Sequence, residues 1–218
     1  MNELTLFHGS PVEVMRPTLE KCRPRNDYGP GFYCTQDKDL ACEWACGGSS
    51  DGVVNEYVLA CDGLRFLDFD ACADGVLGWV ATLVRFRSVD YSSRAEAQTV
   101  KRFIDAYAVD VSQVDVVQGY RADDSYFDIV RAFIVDRLTV GELEDALRLG
   151  DLGMQVVLRS QKAFDAVRFI GSEQALAVQW ASKRKMRNEH AKQQFNEIRN
   201  ASDMGEGLRF IDVVRSLA

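Results

Sequence analysis

The sequence LFHGS at residues 6–10 and the sequence DYGPGFYCTQDKDLACEWA at residues 27–45 decide how this chain can fold. In the first stretch an apolar run reaches His8, one of only two histidines, and ends at a Gly-Ser pair, which is typical of a short strand that gives way to a turn. In the second stretch two glycines and a proline precede Tyr33, and apolar residues at helical spacing follow it. We predict two short strands and a helix, with His8 and Tyr33 forming one site if the two strands meet in space.

The composition of the whole chain is that of a globular protein. Hydrophobic residues make up 47% of the 218 positions and prolines number only 4, so long disorder is not expected. The formal net charge of −7 argues against a protein that coats nucleic acid, because phosphate binding needs a positive field. With no basic leader, no membrane-length apolar run and no CxxC pair, we expect a cytoplasmic protein with reduced cysteines, no membrane association and no structural metal.

The pattern along the chain mixes short strands with helices of uneven length. Strands are predicted at residues 4–8, 31–34, 53–59, 64–69, 115–119, 154–159 and 167–170. Helices are predicted after a Thr35 cap and at residues 76–86, 95–107, 123–134, 139–150, 161–166, 173–200 and 207–217. Asp62-Gly63 indicates a hairpin between the third and fourth strands. Because strands and long crossover helices do not alternate regularly, we predict an α+β domain over residues 1–172 and a C-terminal helical extension over 173–218.

The end of the chain carries an apolar stripe with no obvious partner. In the stretch 207–217, Leu208, Ile211, Val214 and Leu217 recur at three-residue steps. A helix of about eleven residues is not stable alone in water, so it must bury this stripe on the protein's own core or on a partner. The basic run at 183–187 is predicted to lie on an exposed face of the preceding helix.

Five residues on the predicted strands, or in the turn that closes the first of them, could bind a nucleotide. His8 can hydrogen-bond a hydroxyl group, and the backbone of Gly9 is open to a planar amide because glycine has no side chain. Ser10 adds a hydroxyl contact, and Tyr33 offers a flat face to an aromatic ring. Gln155 begins a later strand, where its amide could meet a ribose.

Taken together and in this order, HGS at 8–10, YGPGFYCTQDKDLACEWA at 28–45 and MQVVLRS at 154–160 resemble the histidine–tyrosine branch of the ADP-ribosyltransferase superfamily. More narrowly, LFHGS, DYGPGFYCT, DVVQGYRADDSYF and MQVVLRSQKAF resemble the bacterial domain-of-unknown-function family 3990, over positions 5 to about 170. The resemblance implies split, strongly curved β-sheets with surrounding helices, and NAD in the cleft between the sheets.

The resemblance also implies roles for single residues. His8 would bond the adenosine-side ribose of NAD, Gly9 would hold the nicotinamide amide through its backbone, and Ser10 would touch the nicotinamide ribose. Tyr33 would stack on the nicotinamide ring, and Gly31 would let the preceding loop pass close to the cofactor. These five residues form the expected NAD-binding set.

The resemblance places Gln155 at the third catalytic position. Members of the superfamily that form ADP-ribose polymers generally carry a glutamate there, and Gln155 departs from this pattern. A glutamine is neutral and cannot act as a general base, although its carbonyl oxygen could accept a hydrogen bond from a ribose hydroxyl. The base must then come from elsewhere. Asp123 and Asp124 are the next candidates, although two acids at this place also suit a helix N-terminus, and Glu43 is a weaker third.

The resemblance implies an NAD-dependent ADP-ribosyltransferase. It would cleave the nicotinamide–ribose bond and transfer mono-ADP-ribose to a macromolecular acceptor, as the toxin of a bacterial toxin–antitoxin or phage-defence system with a small antitoxin partner. The alternatives are an NAD glycohydrolase and a catalytically lapsed module that binds NAD or ADP-ribose. Removal of a 2′-phosphate from RNA is disfavoured because the motif regions lack a basic cluster. The acceptor, whether protein, nucleic acid or small molecule, stays open.

Overall fold

A computed structural model of the chain describes residues 2–48, 50–72, 74–87, 89, 91–122, 124–149, 153–201 and 207–217. The strands of these residues are β1 (Glu3–Ser10), β2 (Phe32–Cys34), β3 (Gly52–Ala60), β4 (Phe66–Asp68), β5 (Val116–Tyr120), β6 (Met154–Leu158) and β7 (Val167–Ala175). The α-helices are α1 (Lys38–Ala45), α2 (Gly75–Phe86), α3 (Arg94–Tyr107), α4 (Asp124–Ile134), α5 (Val140–Leu149), α6 (Gln161–Ala166), α7 (Ala177–Ala201) and α8 (Phe210–Arg215).

The strands form two small sheets, which confirms the predicted α+β class. The first sheet has the order β1-β3-β7 and is antiparallel throughout. The second has the order β2-β6-β5-β4, with β4 parallel to β5 and the other pairs antiparallel. One backbone bridge joins the sheets: Phe7 N donates to Thr35 O at 2.7 Å, and Thr35 N donates to Phe7 O at 2.9 Å. The site described below lies where β1 and β2 separate beyond this bridge.

Helix α1 packs against the first sheet at a point that requires glycine. A Cβ atom on Gly9 would overlap the carbonyl oxygen of Ala41 and the backbone nitrogen of Ala45. Any side chain at this position would therefore push the helix away from β1. The glycine of the HGS motif thus fixes the distance between β1 and α1, in addition to any contact that its backbone makes with a ligand.

Two local predictions are wrong, and both errors have a physical cause. Asp62-Gly63 does form a turn, in which Leu64 N donates to Cys61 O at 3.1 Å, but β3 and β4 belong to different sheets because β4 pairs with β5. Thr35 continues the bridge to β1, so the cap of α1 is Asp37, whose carboxylate accepts from Leu40 N at 3.1 Å. Turn and cap residues specify local geometry but not which strand the chain joins next.

The predicted helix at 173–200 begins later than expected. Strand β7 continues to Ala175, across the predicted domain boundary between residues 172 and 173, and α7 begins at Ala177. The division into two domains stays a prediction. None of the helices within the described residues combines the length and the apolar character needed to cross a membrane.

Helix α7 is held against α1 by part of the basic run that was predicted to be exposed. The guanidinium of Arg187 donates to both carboxylate oxygens of the buried Glu43, with Nε to Oε2 at 3.0 Å and Nη2 to Oε1 at 3.0 Å. Arg184 Nη1 donates to Cys46 O at 3.3 Å. The prediction is wrong for these two arginines, because they lie on the face of α7 that meets α1, whereas Lys185 is exposed.

Helix α8 packs on the protein's own core. Phe210 meets the rings of Phe103 and Phe133 at centroid distances of 5.1 and 5.6 Å. Val213 and Val214 are buried beside it. This confirms burial of the closing helix on the core. The predicted stripe is right for Val214 and wrong for Leu208 and Leu217, which are 63% and 37% exposed.

Replacing Phe210 with alanine tests this account of the C-terminal segment. The ring is 3% exposed, so Phe210→Ala should lower the free energy of unfolding by about 3–5 kcal/mol through lost burial and the cavity left behind. The control Leu208→Ala should change it by less than about 0.5 kcal/mol. Urea unfolding followed by circular dichroism measures both, and equal effects of the two variants would contradict the packing described.

Candidate functional site

A side-chain hydrogen bond lies at the point where the two sheets separate. After the Phe7–Thr35 pair, the next backbone pair of an antiparallel ladder would join Gly9 to Tyr33. Instead, the imidazole of His8 bonds the carbonyl oxygen of Tyr33, with Nδ1 at 2.7 Å. Beyond this point β1 and β2 part, and an open cleft of about 1060 Å³ is lined by His8, Gly9, Ser10, Gly31, Tyr33 and Gln155, among others. The structure therefore brings six of the predicted site residues to one place.

The hydrogen bond to Tyr33 also fixes the tautomer of His8. A carbonyl oxygen can only accept, so Nδ1 carries the proton. Burial lowers the pKa of His8 below its ordinary value, although the bond to Tyr33 acts in the opposite direction. The neutral ring therefore keeps a lone pair on Nε2, which can accept a hydrogen bond from a hydroxyl group. The ring is held from one side by Phe32, at a centroid distance of 4.3 Å.

Gly9 presents its backbone edge to the cleft. In an extended strand the N–H and C=O of residues two apart point to the same side. Those of Phe7 point toward β2, where they bond Thr35. The N–H and C=O of Gly9 consequently also point toward the side of β2, but at this position β2 no longer runs beside β1. One donor and one acceptor at this spacing suit a primary carboxamide, which offers the complementary pair.

The hydroxyl group of Tyr33 is engaged in hydrogen bonds, so the aromatic ring is the part of the side chain that remains for a ligand. The hydroxyl donates to Gly29 O at 2.7 Å and accepts from Tyr28 N at 2.9 Å. Burial raises the pKa of Tyr33 well above its ordinary value, so the hydroxyl stays protonated. The loop before Tyr33 lies close to β6, because a Cβ on Gly31 would overlap the side chain of Val157. Tyr33 thus offers a pre-oriented aromatic face.

Ser10 takes part in a network that sequence analysis missed. Its hydroxyl donates to Val12 O at 2.5 Å and accepts from Asn55 Nδ2 at 3.0 Å. Asn55, fully buried on β3, also donates to His8 O at 3.1 Å and accepts from Val14 N at 2.7 Å. Asn55 therefore ties the HGS strand end to the loop that forms one wall of the cleft.

Gln155 is bound to a carboxylate that sequence analysis also missed. Its Nε2 donates to Asp27 Oδ2 at 2.7 Å, and Tyr120 O lies 3.5 Å from the same nitrogen. Both neighbours are acceptors, which fixes the orientation of the amide. Asp27 Oδ2 also accepts from Ala122 N at 3.0 Å, and Arg87 Nη1 lies 3.1 Å from Oδ1.

Asp27 is 8% exposed and lines the cleft beside Gln155. Burial raises the pKa of Asp27, and its hydrogen bonds and the nearby arginines offset this only in part. A buried carboxyl group with a raised pKa is characteristic of groups that exchange protons. The only signal for it in the sequence is its position directly before the YGPG loop.

The other predicted acids differ in where they lie. Asp123 and the side chain of Asp124 fall outside the described residues, although Asp124 begins α4. Glu43 is buried in the contact of α1 with α7, where Arg187 binds it, and it does not line the cleft. Within the described residues no three His, Cys, Asp or Glu side chains are grouped so that they could hold a metal ion.

The cleft is basic, contrary to the expectation that the motif regions lack a basic cluster. Its lining includes Arg16, Lys21, Arg23, Arg25, Arg87, Arg121 and Arg184, against the acids Glu13 and Asp27. The first four come from the loop between β1 and β2 and are exposed, and we call them the basic rim. The other three are engaged: Arg87 with Asp27, Arg121 over the Trp44 ring at 5.0 Å, and Arg184 with Cys46 O.

Comparison with known proteins identifies a family but no characterised relative. A family model described as "Protein of unknown function (DUF3990)" matches residues 4–169, which is more than half of the chain. This confirms the narrower of the two resemblances. No curated protein and no solved structure matches the chain.

The protonation of His8 gives a pH-dependent test of the site. Because the folded pKa lies below the unfolded value of about 6.5, the contribution of His8 to stability is complete above that pH and decreases as the pH falls toward the folded pKa. The difference in free energy of unfolding between wild type and His8→Asn should therefore narrow below about pH 6.5. Urea unfolding between about pH 5 and 8 measures it. A difference that does not change with pH would mean that the ring is not buried in its neutral form.

Proposed function

We propose that this chain, which belongs to the DUF3990 family of proteins of unknown function, is an NAD-dependent ADP-ribosyltransferase. The observation that carries the proposal is the opening between β1 and β2. There, Gly9 and Tyr33 line one cleft, and the imidazole of His8 bonds the carbonyl oxygen of Tyr33 between the two strands. This arrangement provides an edge for a carboxamide and a face for an aromatic ring, and nicotinamide has both.

The cleft residues would divide the binding of NAD between them. The N–H and C=O of Gly9 would pair with the nicotinamide carboxamide while Tyr33 stacks on the ring. Nε2 of His8 would accept from a ribose hydroxyl, and Ser10 would lie near the nicotinamide ribose. The positive charge of the cleft favours the pyrophosphate.

The reaction breaks the bond between the ribose C1′ and the nicotinamide nitrogen, whose electron pair leaves with nicotinamide. Positive charge develops on the ribose, and an acceptor nucleophile then bonds C1′ and gives up its proton. Asp27 is the acid beside Gln155 in the cleft, and we assign to it the stabilisation of this charge and the uptake of the proton.

Gln155 would act together with Asp27. Its Nε2 is held on the carboxylate, so its carbonyl oxygen points away from Asp27 and gains electron density through the hydrogen bond. That oxygen could accept from a ribose hydroxyl as the ring flattens. Gln155 and Asp27 would then together bind the ribose hydroxyl and supply the carboxylate, two tasks that a single glutamate performs in members of the superfamily that carry it. Asp123 and Asp124 stay the alternative source of the base.

Products separate this proposal from its alternatives. With water as the acceptor the same site is an NAD glycohydrolase, and without nicotinamide release the fold is a binding module. The basic cleft removes the argument against 2′-phosphate removal from RNA, which would instead yield an ADP-ribose phosphate from NAD and a 2′-phosphorylated RNA. A toxin role with a small antitoxin partner stays a prediction based on the resemblance alone.

Incubation with NAD labelled in its adenosine part, together with a cell lysate, tests the activity. We expect free nicotinamide and label on a macromolecule. Tyr33→Ala should weaken NAD binding by about 1 kcal/mol through lost stacking, whereas Tyr33→Phe should keep most of it because the ring is retained. Tyr91→Ala, at a half-exposed tyrosine outside the cleft lining, is the control. If the wild type neither binds NAD nor releases nicotinamide, the proposal is wrong.

Asp27→Asn tests the chemistry separately from binding. The amide is nearly isosteric but carries no charge and cannot take up the proton, so turnover should fall by at least about a hundredfold, with a smaller change in NAD affinity. Gln155→Ala should also lower turnover more than affinity. Asp165→Asn, an exposed acid on α6, serves as the control. Equal losses of turnover and affinity in Asp27→Asn would assign Asp27 to binding alone.

A further inference from the structure

The loop between β1 and β2 concentrates positive charge on a chain that is acidic overall. Between residues 15 and 25 there are four basic residues, which form the basic rim, and one acid, Glu20. The chain as a whole carries a formal charge of −7. Like charges held on one short loop repel one another, so such a cluster is best satisfied by an anion that binds across it.

The side chains of the basic rim have no internal role among the described residues. Arg16, Lys21, Arg23 and Arg25 are exposed, and none of them forms an ion pair or a side-chain hydrogen bond with another residue that the structure describes. The deeper arginines of the cleft differ, since Arg87 holds Asp27 and Arg121 lies over Trp44. The basic rim therefore offers positively charged side chains to a ligand at the cleft, whereas Arg87 and Arg121 deeper in the cleft already contact other residues.

Exposed apolar side chains lie among these cations. Val12 and Met15 line the same cleft and are each 63% exposed. Methionine makes favourable contacts with aromatic rings, and arginine can both bind phosphate and stack on a base. Proteins that bind single-stranded nucleic acid combine a positively charged groove with side chains on which bases stack, most often aromatic ones, and here the rim arginines and Met15 would provide the stacking surfaces.

From these features we infer that the basic rim binds a single-stranded nucleic acid, which is the acceptor of ADP-ribose. The identification as acceptor rests on the proposed function, whereas the binding itself does not. The pyrophosphate of NAD alone does not account for four further cations at the mouth of the cleft. A single strand is favoured over a duplex, because the accepting atom must reach the bottom of the cleft and the bases of a duplex are stacked and paired.

Fluorescence anisotropy with labelled 20-nucleotide single strands, as RNA and as DNA, tests the binding without NAD. The wild-type chain should bind, with an affinity that falls as salt rises between about 50 and 300 mM. Arg16/Arg23/Arg25→Gln should weaken binding at least about tenfold and reduce the slope of log affinity against log salt by about 2, since each lost phosphate contact accounts for about 0.7.

The matched control removes the same charge elsewhere. Arg94, Arg102 and Arg168 are exposed and do not line the cleft, so Arg94/Arg102/Arg168→Gln also removes three positive charges. This control should bind as the wild type does. The inference is overturned if the wild type does not bind, if the two triple variants lose affinity equally, or if a polyglutamate peptide competes as well as the oligonucleotide.

Labelled NAD then connects binding to transfer. The oligonucleotide should acquire the adenosine label from the wild type, and at least about a hundredfold more slowly from Asp27→Asn. Nicotinamide release without oligonucleotide binding would overturn the inference and leave the proposed function standing. Binding at the basic rim without nicotinamide release would support the binding site and overturn the proposed function and, with it, the acceptor role.

Discussion

The hydrogen bond between His8 Nδ1 and the carbonyl oxygen of Tyr33 is the contact on which the site depends. It stands at the position where the backbone ladder that begins at Phe7 and Thr35 would have its next pair, Gly9 and Tyr33. A backbone–backbone bond is thus exchanged for a side-chain bond, and the N–H and C=O of Gly9 become available to a ligand. Asn55 on β3 binds the same end of β1, because its side chain donates to His8 O and to the Ser10 hydroxyl. Polar groups on β1 and β3 therefore support the opening.

The second feature of the site is the buried pair formed by Gln155 and Asp27. Asp27 comes from the loop that precedes β2, and its carboxylate accepts a hydrogen bond from the Gln155 amide. In the proposed function these two residues together take the place of a single catalytic acid. Burial raises the pKa of Asp27, while its hydrogen bonds with Gln155 and Ala122 and the charge of Arg87 favour the charged form. A neutral residue at the third position therefore does not leave the cleft without an acid.

Much of this architecture follows from local sequence patterns, and what does not follow depends on contacts between distant residues. The strands that carry His8 and Tyr33 could be predicted because an apolar run beside glycine is a local signal. Asp27 and Asn55 could not, because a polar residue in a loop or on a strand is expected to face solvent until its burial is known. The basic residues between positions 16 and 25 are visible in the sequence, but their place in the cleft is not. The net charge of −7 sums over the whole chain, whereas a ligand in the cleft experiences the nearby arginines.

A crystal structure of the chain with bound nicotinamide would show whether the opening between β1 and β2 is the nicotinamide site. We expect the carboxamide to pair with the N–H and C=O of Gly9, the ring to lie on Tyr33, and the His8–Tyr33 bond to be intact. Nicotinamide bound at another place, or Gly9 found in a backbone pair with Tyr33, would contradict this expectation.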